Sequence, residues 1–288
     1  MLSSYLIAMN TAQPSIHLVI IPGLNGLGGE NALTTLPYFK NKPHLQHKVK
    51  TPGFITADLG QTRCMKYLHE FLIKLPNNDK AIIYAVSQGT ATALNYASKN
   101  SAKIAALILE GVMLSGNSAI SYNLNSLRTL PGSSCIAACV AKCLFPFYSP
   151  SGDQPIKNIS TLPQNLPIII LHHTQDPQLS YKDAQACYAF LKNTCQNKNV
   201  YLISKTSKKP AHFHLLADIT QEDNVQKIYA INGILYKNKL IPNINYKSTK
   251  PKVIIPLTSY QPKPQKNGSL ILKIYYLMKK KYFTLAFQ

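Results

Sequence analysis

A strand-like run that ends at a serine constrains this chain more than any other feature. Residues 81–86 are mostly apolar, Ser87 follows them, and the small residues at 89–91 suit the first turn of a helix. A serine at such a junction adopts a strained backbone conformation, which costs about 1–3 kcal/mol. In return, the sharp turn lifts the serine hydroxyl clear of the edge of the sheet.

The residues two positions before and two positions after Ser87 are both small. A tight strand-to-helix turn brings the backbone at these positions into close approach, so a large side chain would clash there. Ala85 and Gly89 meet this requirement, and Ser87 is the only serine of the chain with Gly, Ala or Ser at both positions. The pattern is that of a nucleophile elbow with Ala in place of the commoner first Gly, and it predicts that Ser87 is a nucleophile.

Apolar runs of strand length alternate with helical patterns along most of the chain. This alternation predicts a three-layer α/β/α sandwich with a mostly parallel central sheet. The predicted strands are 17–21, 47–53, 81–86, 103–109, 166–171 and 200–203, and the predicted helices are about 30–39, 61–75, from 90, 181–191 and from about 213.

Two segments interrupt the alternation. Residues 112–165 are rich in Ser, Asn, Gly and Pro around one apolar patch at 136–147, and we expect an insertion that covers the sheet edge as a lid. Residues 237–288 contain eleven Lys and no acidic residue, against a formal charge of +20 for the whole chain. The chain thus divides into a predicted catalytic domain over 1–236 and a Lys-rich extension over 237–288.

The charge of the extension bears on partners. Lys mixed with aromatic and apolar residues favours peripheral contact with an anionic membrane. The alternatives are a solvated, partly disordered extension and a strand or helix docked on the body. No recognised nucleic-acid module accompanies it, so nucleic acid is not expected as a partner. Nothing in the sequence sets the oligomeric state.

Targeting signals and cysteine usage favour a cytoplasmic location. The first basic residue is Lys40, so the ordinary basic start of a signal peptide is missing, and no apolar stretch reaches the about 18 residues that cross a bilayer. The six cysteines lack the spacing of a disulfide framework, which is typical of free thiols in a reducing compartment. Peripheral membrane association and export by another route stay open.

Three cysteines, Cys135, Cys139 and Cys143, repeat every four residues and would share one face of a helix. Packing in the core or the lid is the favoured interpretation, and acylation of a membrane-facing helix is the alternative. Their spacing lacks the Cys-x-x-Cys pairs of a zinc site, and the loop at 22–29 lacks the pattern of a dinucleotide or phosphate loop. We predict no metal and no cofactor.

An activated serine needs a base, and the base needs a third group to orient it. The last predicted strand is followed by His212 and His214, and His212 is favoured because it lies nearer the loop. His172 and His173, at the end of an earlier strand, fit a structural or catalytic role better than metal binding.

Three carboxylates compete for the part of the acid. Asp176 follows the apolar strand 166–171, Glu110 ends the strand after the elbow helix, and Asp153 lies in the presumed lid. Asp176 is favoured because the order Ser, Asp, His is the one that this architecture uses. Glu110 is the runner-up.

The oxyanion that forms during such a reaction needs preorganised backbone donors. One would be the amide of Gln88, at the start of the elbow helix, where the helix dipole also helps. The other would be the amide of Leu24, in the glycine-containing loop after the first strand.

Four pieces of the sequence carry a resemblance to a known family. They are residues 22–26, the elbow at 85–89, the acid loop at 173–176 and the segment 211–213, in that order along the chain. On these pieces the chain resembles α/β-hydrolase-fold serine hydrolases of the lipase and esterase type, over residues 16 to about 230. Two departures are Pro22, where the family often has His, and reduced or missing leading antiparallel strands.

The resemblance implies Ser87 as nucleophile, Asp176 as acid and His212 as base. It also implies cleavage of carboxylic esters through an acyl-enzyme, with apolar or lipid-like acyl groups suggested by the lid and the basic extension. The alternative is an inactive hydrolase-like scaffold that binds a membrane or a protein partner through its basic extension.

Overall fold

The computed structural model describes residues 14–206, except 27, 30–35, 54–55, 124–138 and 141, together with His212 and residues 222–242. Its centre is a sheet of six strands in the spatial order β2-β1-β3-β4-β5-β6, and all neighbouring strands run parallel. The strands are β1 (Ile16–Ile21), β2 (Gln46–Lys48), β3 (Lys80–Val86), β4 (Ile104–Glu110), β5 (Ile168–His173) and β6 (Val200–Lys205).

Helices connect these strands. They are α1 (Pro37–Lys40), α2 (Thr62–Leu72), α3 (Gln88–Lys99), α4 (Gly116–Asn123), α5 (Pro155–Asn158), α6 (Tyr181–Ala189) and α7 (Glu222–Lys237), and α6 continues as a π-helical turn, Phe190–Thr194. Short 3-10 turns occur at Leu24–Gly26, Pro43–Leu45 and Ile159–Thr161. No helix in the described part of the chain is both long and apolar enough to cross a bilayer.

The sheet is buried on both faces, which explains why its strands read as continuous apolar runs. Alternate residues of β3 enter different clusters: Ile83 packs with α2, α3 and α6 on one face, and Ile82 packs with α1 and α7 on the other. Helix, sheet and helix thus form three layers, and the fold class predicted from the sequence is confirmed. Ile241, beyond the end of α7, still packs in the second of these clusters.

The second strand is shorter than predicted. It was expected over 47–53, and the structure pairs only Gln46–Lys48 with β1. The amide of Val49 makes a last bond, 2.9 Å long, to the carbonyl of Ile20. Pro52 has no N–H to donate, so a longer ladder would lose a bond there.

The order of the strands separates the loops on either side of the elbow. The chain moves from β1 to β2 on one side and then returns to place β3 on the other side of β1. The loops after β1 and β3 therefore diverge at the carboxyl edge, where open α/β sheets bind their ligands.

A third apolar cluster, called here the edge cluster, lies at this carboxyl edge. Met113 and Leu179 enter it from the segments after β4 and β5, and Phe145 and Tyr148 enter it from the predicted insertion. Ala57, Leu59 and Ala91 complete it, and Leu24, Ala119, Ile120 and Leu144 pack against it. The described part of the insertion is therefore packed on the site region, while its action as a lid stays a prediction.

Several sequence predictions lie outside the described residues. They concern the leading strands at 1–13, the first part of the helix at 30–35, most of the lid's first half at 124–138, Cys135, His214 and the extension from residue 243.

Candidate active site

Ser87 occupies the turn between β3 and α3 with an unusual backbone. Its φ is 52° and its ψ is −119°, a region that residues other than glycine rarely adopt. The Ser87 amide donates to the carbonyl of Glu110 at 2.8 Å, and its carbonyl accepts from the amide and the hydroxyl of Thr90 at 2.9 and 2.6 Å. These bonds hold the strained turn in place.

Gly89 is required at the elbow for a reason that differs in detail from the sequence argument. A Cβ at this position would collide with the carbonyl oxygen of Ile21 and would lie 2.8 Å from that of Pro22. The close approach is thus between the elbow helix and the end of the neighbouring strand β1.

His212 lies between Ser87 and Asp176. Its Nε2 is 2.7 Å from the hydroxyl oxygen of Ser87, and its Nδ1 is 2.9 and 2.8 Å from the two carboxylate oxygens of Asp176. His212 is 8% exposed and Asp176 is 2% exposed. The structure therefore brings together the three side chains that the sequence singled out, although 125 positions separate Ser87 from His212 along the chain.

The Asp176 carboxylate is held by its own loop. Its Oδ1 accepts hydrogen bonds from the amides of Gln178 and Leu179, at 2.7 and 2.9 Å. The backbone carbonyl of Asp176 accepts from the hydroxyl of Tyr122 on α4, at 2.9 Å. The two amides thus hold the carboxylate against the Nδ1 of His212, and Tyr122 holds the backbone of the same loop.

The other two candidate acids have different partners. Glu110 is buried at the end of β4, where its Oε2 accepts from the hydroxyl of Tyr84 at 2.6 Å. Burial, with the nearby Glu110 charge, raises the pKa of Tyr84 well above 10. Asp153 forms an ion pair with Lys99, with both carboxylate oxygens 2.7 Å from the Nζ.

The two expected oxyanion donors lie at the same edge. Leu24 begins the 3-10 turn directly after β1, and Gln88 is the first residue of α3. The first amides of an α-helix have no acceptor within the helix, so the amide of Gln88 has no partner within α3. The participation of Leu24 and Gln88 in an oxyanion hole stays a prediction.

Cys64 fixes the side chain of Gln88. The Nε2 of Gln88 donates to the Sγ of Cys64 at 3.2 Å, and the two side chains are buried. Burial, followed by the charge of Asp58, raises the pKa of the Cys64 thiol to about 12. The thiol therefore stays protonated and does not compete with Ser87 as a nucleophile.

His172, at the end of β5, is the residue whose place in the site the sequence left undefined. It is fully buried, and its Nε2 lies 3.8 Å from the Oδ2 of Asp176. Its position four residues before the acid was the available signal. Among the described residues, no group of three or more His, Cys, Asp or Glu side chains is placed to hold a metal ion.

No family model and no curated protein matches the sequence. Solved structures do match. A butyrate-bound thermophilic esterase from the Planctomycetes species Thermogutta terrifontis is 15% identical, with 81% of this chain and 86% of that chain covered and a TM-score of 0.53. Est1E from Butyrivibrio proteoclasticus is 14% identical, with 80% of this chain and 91% of that chain covered and a TM-score of 0.52. An esterase from Pyrococcus furiosus is 13% identical, with 78% of this chain and 82% of that chain covered and a TM-score of 0.52.

Likeness at this level of identity is a likeness of fold. The parallel sheet, its strand order, the strained serine between β3 and α3 and these solved structures define one class. The protein has the α/β-hydrolase fold.

Proposed function

We propose that the protein is a serine hydrolase that cleaves carboxylic esters through an acyl-enzyme. The observation that carries the proposal is the chain of hydrogen bonds from Asp176 through His212 to the hydroxyl of Ser87. A serine hydroxyl is a weak nucleophile until an adjacent base accepts its proton. An alcohol, an imidazole and a buried carboxylate in this order are what that activation requires.

In the proposed reaction, His212 donates its Nδ1–H to Asp176, so its Nε2 carries no proton and accepts the proton of Ser87. The Ser87 oxygen attacks the ester carbonyl carbon, and the proton moves to Nε2 of His212. Asp176 stabilises the imidazolium that results, without itself becoming protonated. His212 then gives the proton to the leaving alkoxide, and the acyl group stays on Ser87.

Two further features serve the tetrahedral intermediates. The amides of Leu24 and Gln88 would donate to the oxyanion, and removal of one such donor typically costs about 10²–10³-fold in kcat. In the second half of the cycle, His212 deprotonates a water molecule, which attacks the acyl carbon. The bond from that carbon to the Ser87 oxygen then breaks, His212 returns the proton to this oxygen, and the acid leaves.

The proposed substrates carry apolar acyl groups. The edge cluster supports this choice, because Leu24 from the expected oxyanion loop packs against it and Ala91 of the elbow helix belongs to it. The Thermogutta esterase binds butyrate. Each buried methylene contributes about 0.8 kcal/mol, so kcat/KM should rise about fourfold per methylene from p-nitrophenyl acetate to the butyrate. Equal values across this series would contradict apolar acyl binding.

The first experiment is labelling by a fluorophosphonate probe. Wild type should be labelled, and Ser87→Ala should lose the label and about 10⁴-fold or more of its ester turnover. Ser98→Ala is the matched control, because Ser98 lies on the same helix and its hydroxyl bonds only to the carbonyl of Asn95 in the described contacts. Unchanged turnover in Ser87→Ala would contradict the proposal.

The alternative is an inactive scaffold that binds a partner through the basic extension, and the eleven Lys at 237–288 favour it. The contact of His212 with Ser87 weighs against inactivity. Silence of folded wild type towards the probe, with and without detergent or vesicles, would favour the scaffold.

We also propose peripheral contact of the extension with anionic membranes. A truncation after Pro242 tests it, since it keeps Ile241 in the core. The truncated chain should lose salt-sensitive binding to phosphatidylserine vesicles, with phosphatidylcholine vesicles as the control. Undiminished binding would contradict this role.

A further inference from the structure

His172 links two segments of the site to each other. Its Nδ1 lies 3.2 Å from the backbone nitrogen of Val112, which follows β4, and its Nε2 lies 3.3 Å from the carbonyl oxygen of Leu179. Leu179 is also the residue whose amide donates to Oδ1 of Asp176. The imidazole thus joins the end of β4 to the loop that carries the acid.

The partners of His172 define its tautomer. The backbone nitrogen of Val112 can only donate, so Nδ1 must be the bare nitrogen that accepts. The ring proton is then on Nε2, where it points to the carbonyl of Leu179 with Oδ2 of Asp176 at 3.8 Å. His172 is therefore a donor towards the acid loop and an acceptor towards β4.

The β4 end of this link lies close to His212. Gly111 precedes Val112, and a Cβ at Gly111 would lie 3.3 Å from the carbonyl oxygen of His212 and 3.5 Å from the Cε1 of its ring. The same Cβ would lie 3.8 Å from a methyl group of Leu179. A shift of either anchored segment would therefore change the distance between His212 and Asp176.

Burial keeps His172 neutral. The side chain is fully buried, and burial lowers the pKa of His172 below its usual 6.5. The charged and titratable groups around it are Asp176, Asp183 and His212, with the ring of Tyr181 at 5.8 Å. Because His172 is neutral, it does not compete with His212 for the negative charge of Asp176.

We propose that His172 is a positioning residue of the active site, which holds the Asp176 loop in register with His212 through its Nε2–H. This inference rests on the proposed function, because it assigns His172 a part in the same reaction.

Two substitutions separate positioning from packing. In His172→Gln, the amide nitrogen reaches about the place of Nε2 and keeps the donor towards Leu179, but the acceptor for Val112 is lost. In His172→Asn, the amide oxygen takes about the place of Nδ1 and keeps the acceptor, but the donor is lost. Both variants are smaller than histidine, so both are compared per folded molecule, with thermal unfolding as the check.

Positioning by the donor predicts opposite outcomes for the pair. With p-nitrophenyl butyrate, His172→Asn should lose roughly 10- to 100-fold in kcat with KM within about twofold, since small misplacements of catalytic groups cost this much. His172→Gln should stay within about threefold of wild type, even with a lower midpoint of thermal unfolding. Wild-type kcat in both variants, or an equal loss in both, would overturn the inference.

A measurement without substrate distinguishes failure of the inference from failure of the proposed function. The proton between Nδ1 of His212 and Asp176 should give a far-downfield NMR resonance. We expect wild type and His172→Gln to share it, and His172→Asn to shift or lose it. An unchanged resonance in His172→Asn would overturn the inference, whereas a wild type without turnover or probe labelling would overturn only the proposed function.

Discussion

Two residues of the elbow, Ser87 and Gly89, are under steric constraints that come from the neighbouring strands. Ser87 keeps a φ of 52° because its amide and carbonyl are bonded to Glu110 and Thr90. Gly89 lets the helix approach the end of β1 closely. The serine hydroxyl is therefore presented by backbone contacts on two neighbouring strands.

Gly89→Ala should disrupt the elbow. The added methyl group would meet the carbonyl oxygens of Ile21 and Pro22, so either the helix or strand β1 has to move. We expect a loss of unfolding free energy of about 1–3 kcal/mol and a fall in turnover that exceeds the loss of folded protein. Urea unfolding and ester kinetics measure the two effects.

The matched control is Gly233→Ala on α7. A Cβ at Gly233 meets no atom of the described residues within 4 Å, so alanine should stabilise the helix by about 0.5–1 kcal/mol with unchanged activity. If Gly89→Ala behaved like this control, the close approach to β1 would be of no importance.

Asp176→Asn tests which carboxylate orients His212. Asparagine has nearly the same shape as aspartate, but it carries no negative charge to stabilise the His212 imidazolium. We therefore expect kcat to fall by about 10⁴-fold with little change in structure. Glu110→Gln is the comparison, since Glu110 accepts from Tyr84. It should affect stability more than kcat. A larger loss of kcat in Glu110→Gln would reverse the assignment.

At the scale of elements, polar side chains fasten the insertion to the loop before α2. The side chain of Gln61 donates to the carbonyls of Ser149 and Asp153 at 2.7 and 3.0 Å and accepts from the amide of Ser149 at 2.9 Å. The side-chain Nδ2 of Asn95 on α3 donates to the carbonyl of Gly60 at 3.1 Å. The elbow helix and the insertion thus share one anchoring loop.

Gln61→Met should loosen the insertion. The change keeps the side-chain length and removes three hydrogen bonds, which leaves partly buried partners unsatisfied at a cost of about 1–3 kcal/mol. Hydrogen exchange of the Ser149 amide should become faster, whereas Gln185→Met on the exposed face of α6 should leave it unchanged. Equal exchange in both variants would contradict this anchoring.

At the scale of the whole molecule, two histidines oppose protonation in the folded state. Burial lowers the pKa of His172, and burial together with the adjacent His17 lowers the pKa of His47. The Nε2 of His47 lies 3.0 Å from Nδ1 of His17, whose Nε2 lies 2.9 Å from Asp79. Hydrogen bonding to His17 in turn lowers the pKa of Asp79.

Stability should therefore fall as the pH drops below about 6.5, the usual pKa of histidine. Below this value the unfolded chain binds protons that folded His172 does not, so the unfolding free energy decreases by at most about 1.4 kcal/mol per pH unit for this residue. The half-exposed His47 contributes less because solvent screens it. Urea unfolding between pH 7 and 5 measures the slope, and His172→Gln should flatten it. An unchanged slope in that variant would contradict the assignment to His172.

The local structure and the candidates for the site could be predicted from the amino-acid sequence alone. Strands and helices follow from patterns among residues that are close in the chain, and such periodicity also predicts the layered fold. The clearest patterns are the apolar run before Ser87, the spacing of apolar residues in α2, and the apolar runs at β4 and β5. Small residues around Ser87 marked the elbow, and chain order favoured Asp176 over Glu110. The predicted length of β2 was wrong because the extent of its pairing with β1 depends on a strand that is distant in the sequence.

Which side chains come into contact depends on the arrangement of the strands in the folded protein. The strand order sets β1 beside β3, so that Gly89 faces Ile21, and it sets β5 beside β4, so that His172 reaches Val112. The contact of His212 with Asp176 and Ser87 depends on loops that leave three different strands. No pattern of neighbouring residues encodes these distances, because they follow from the crossovers of a parallel sheet, which join segments far apart in the chain.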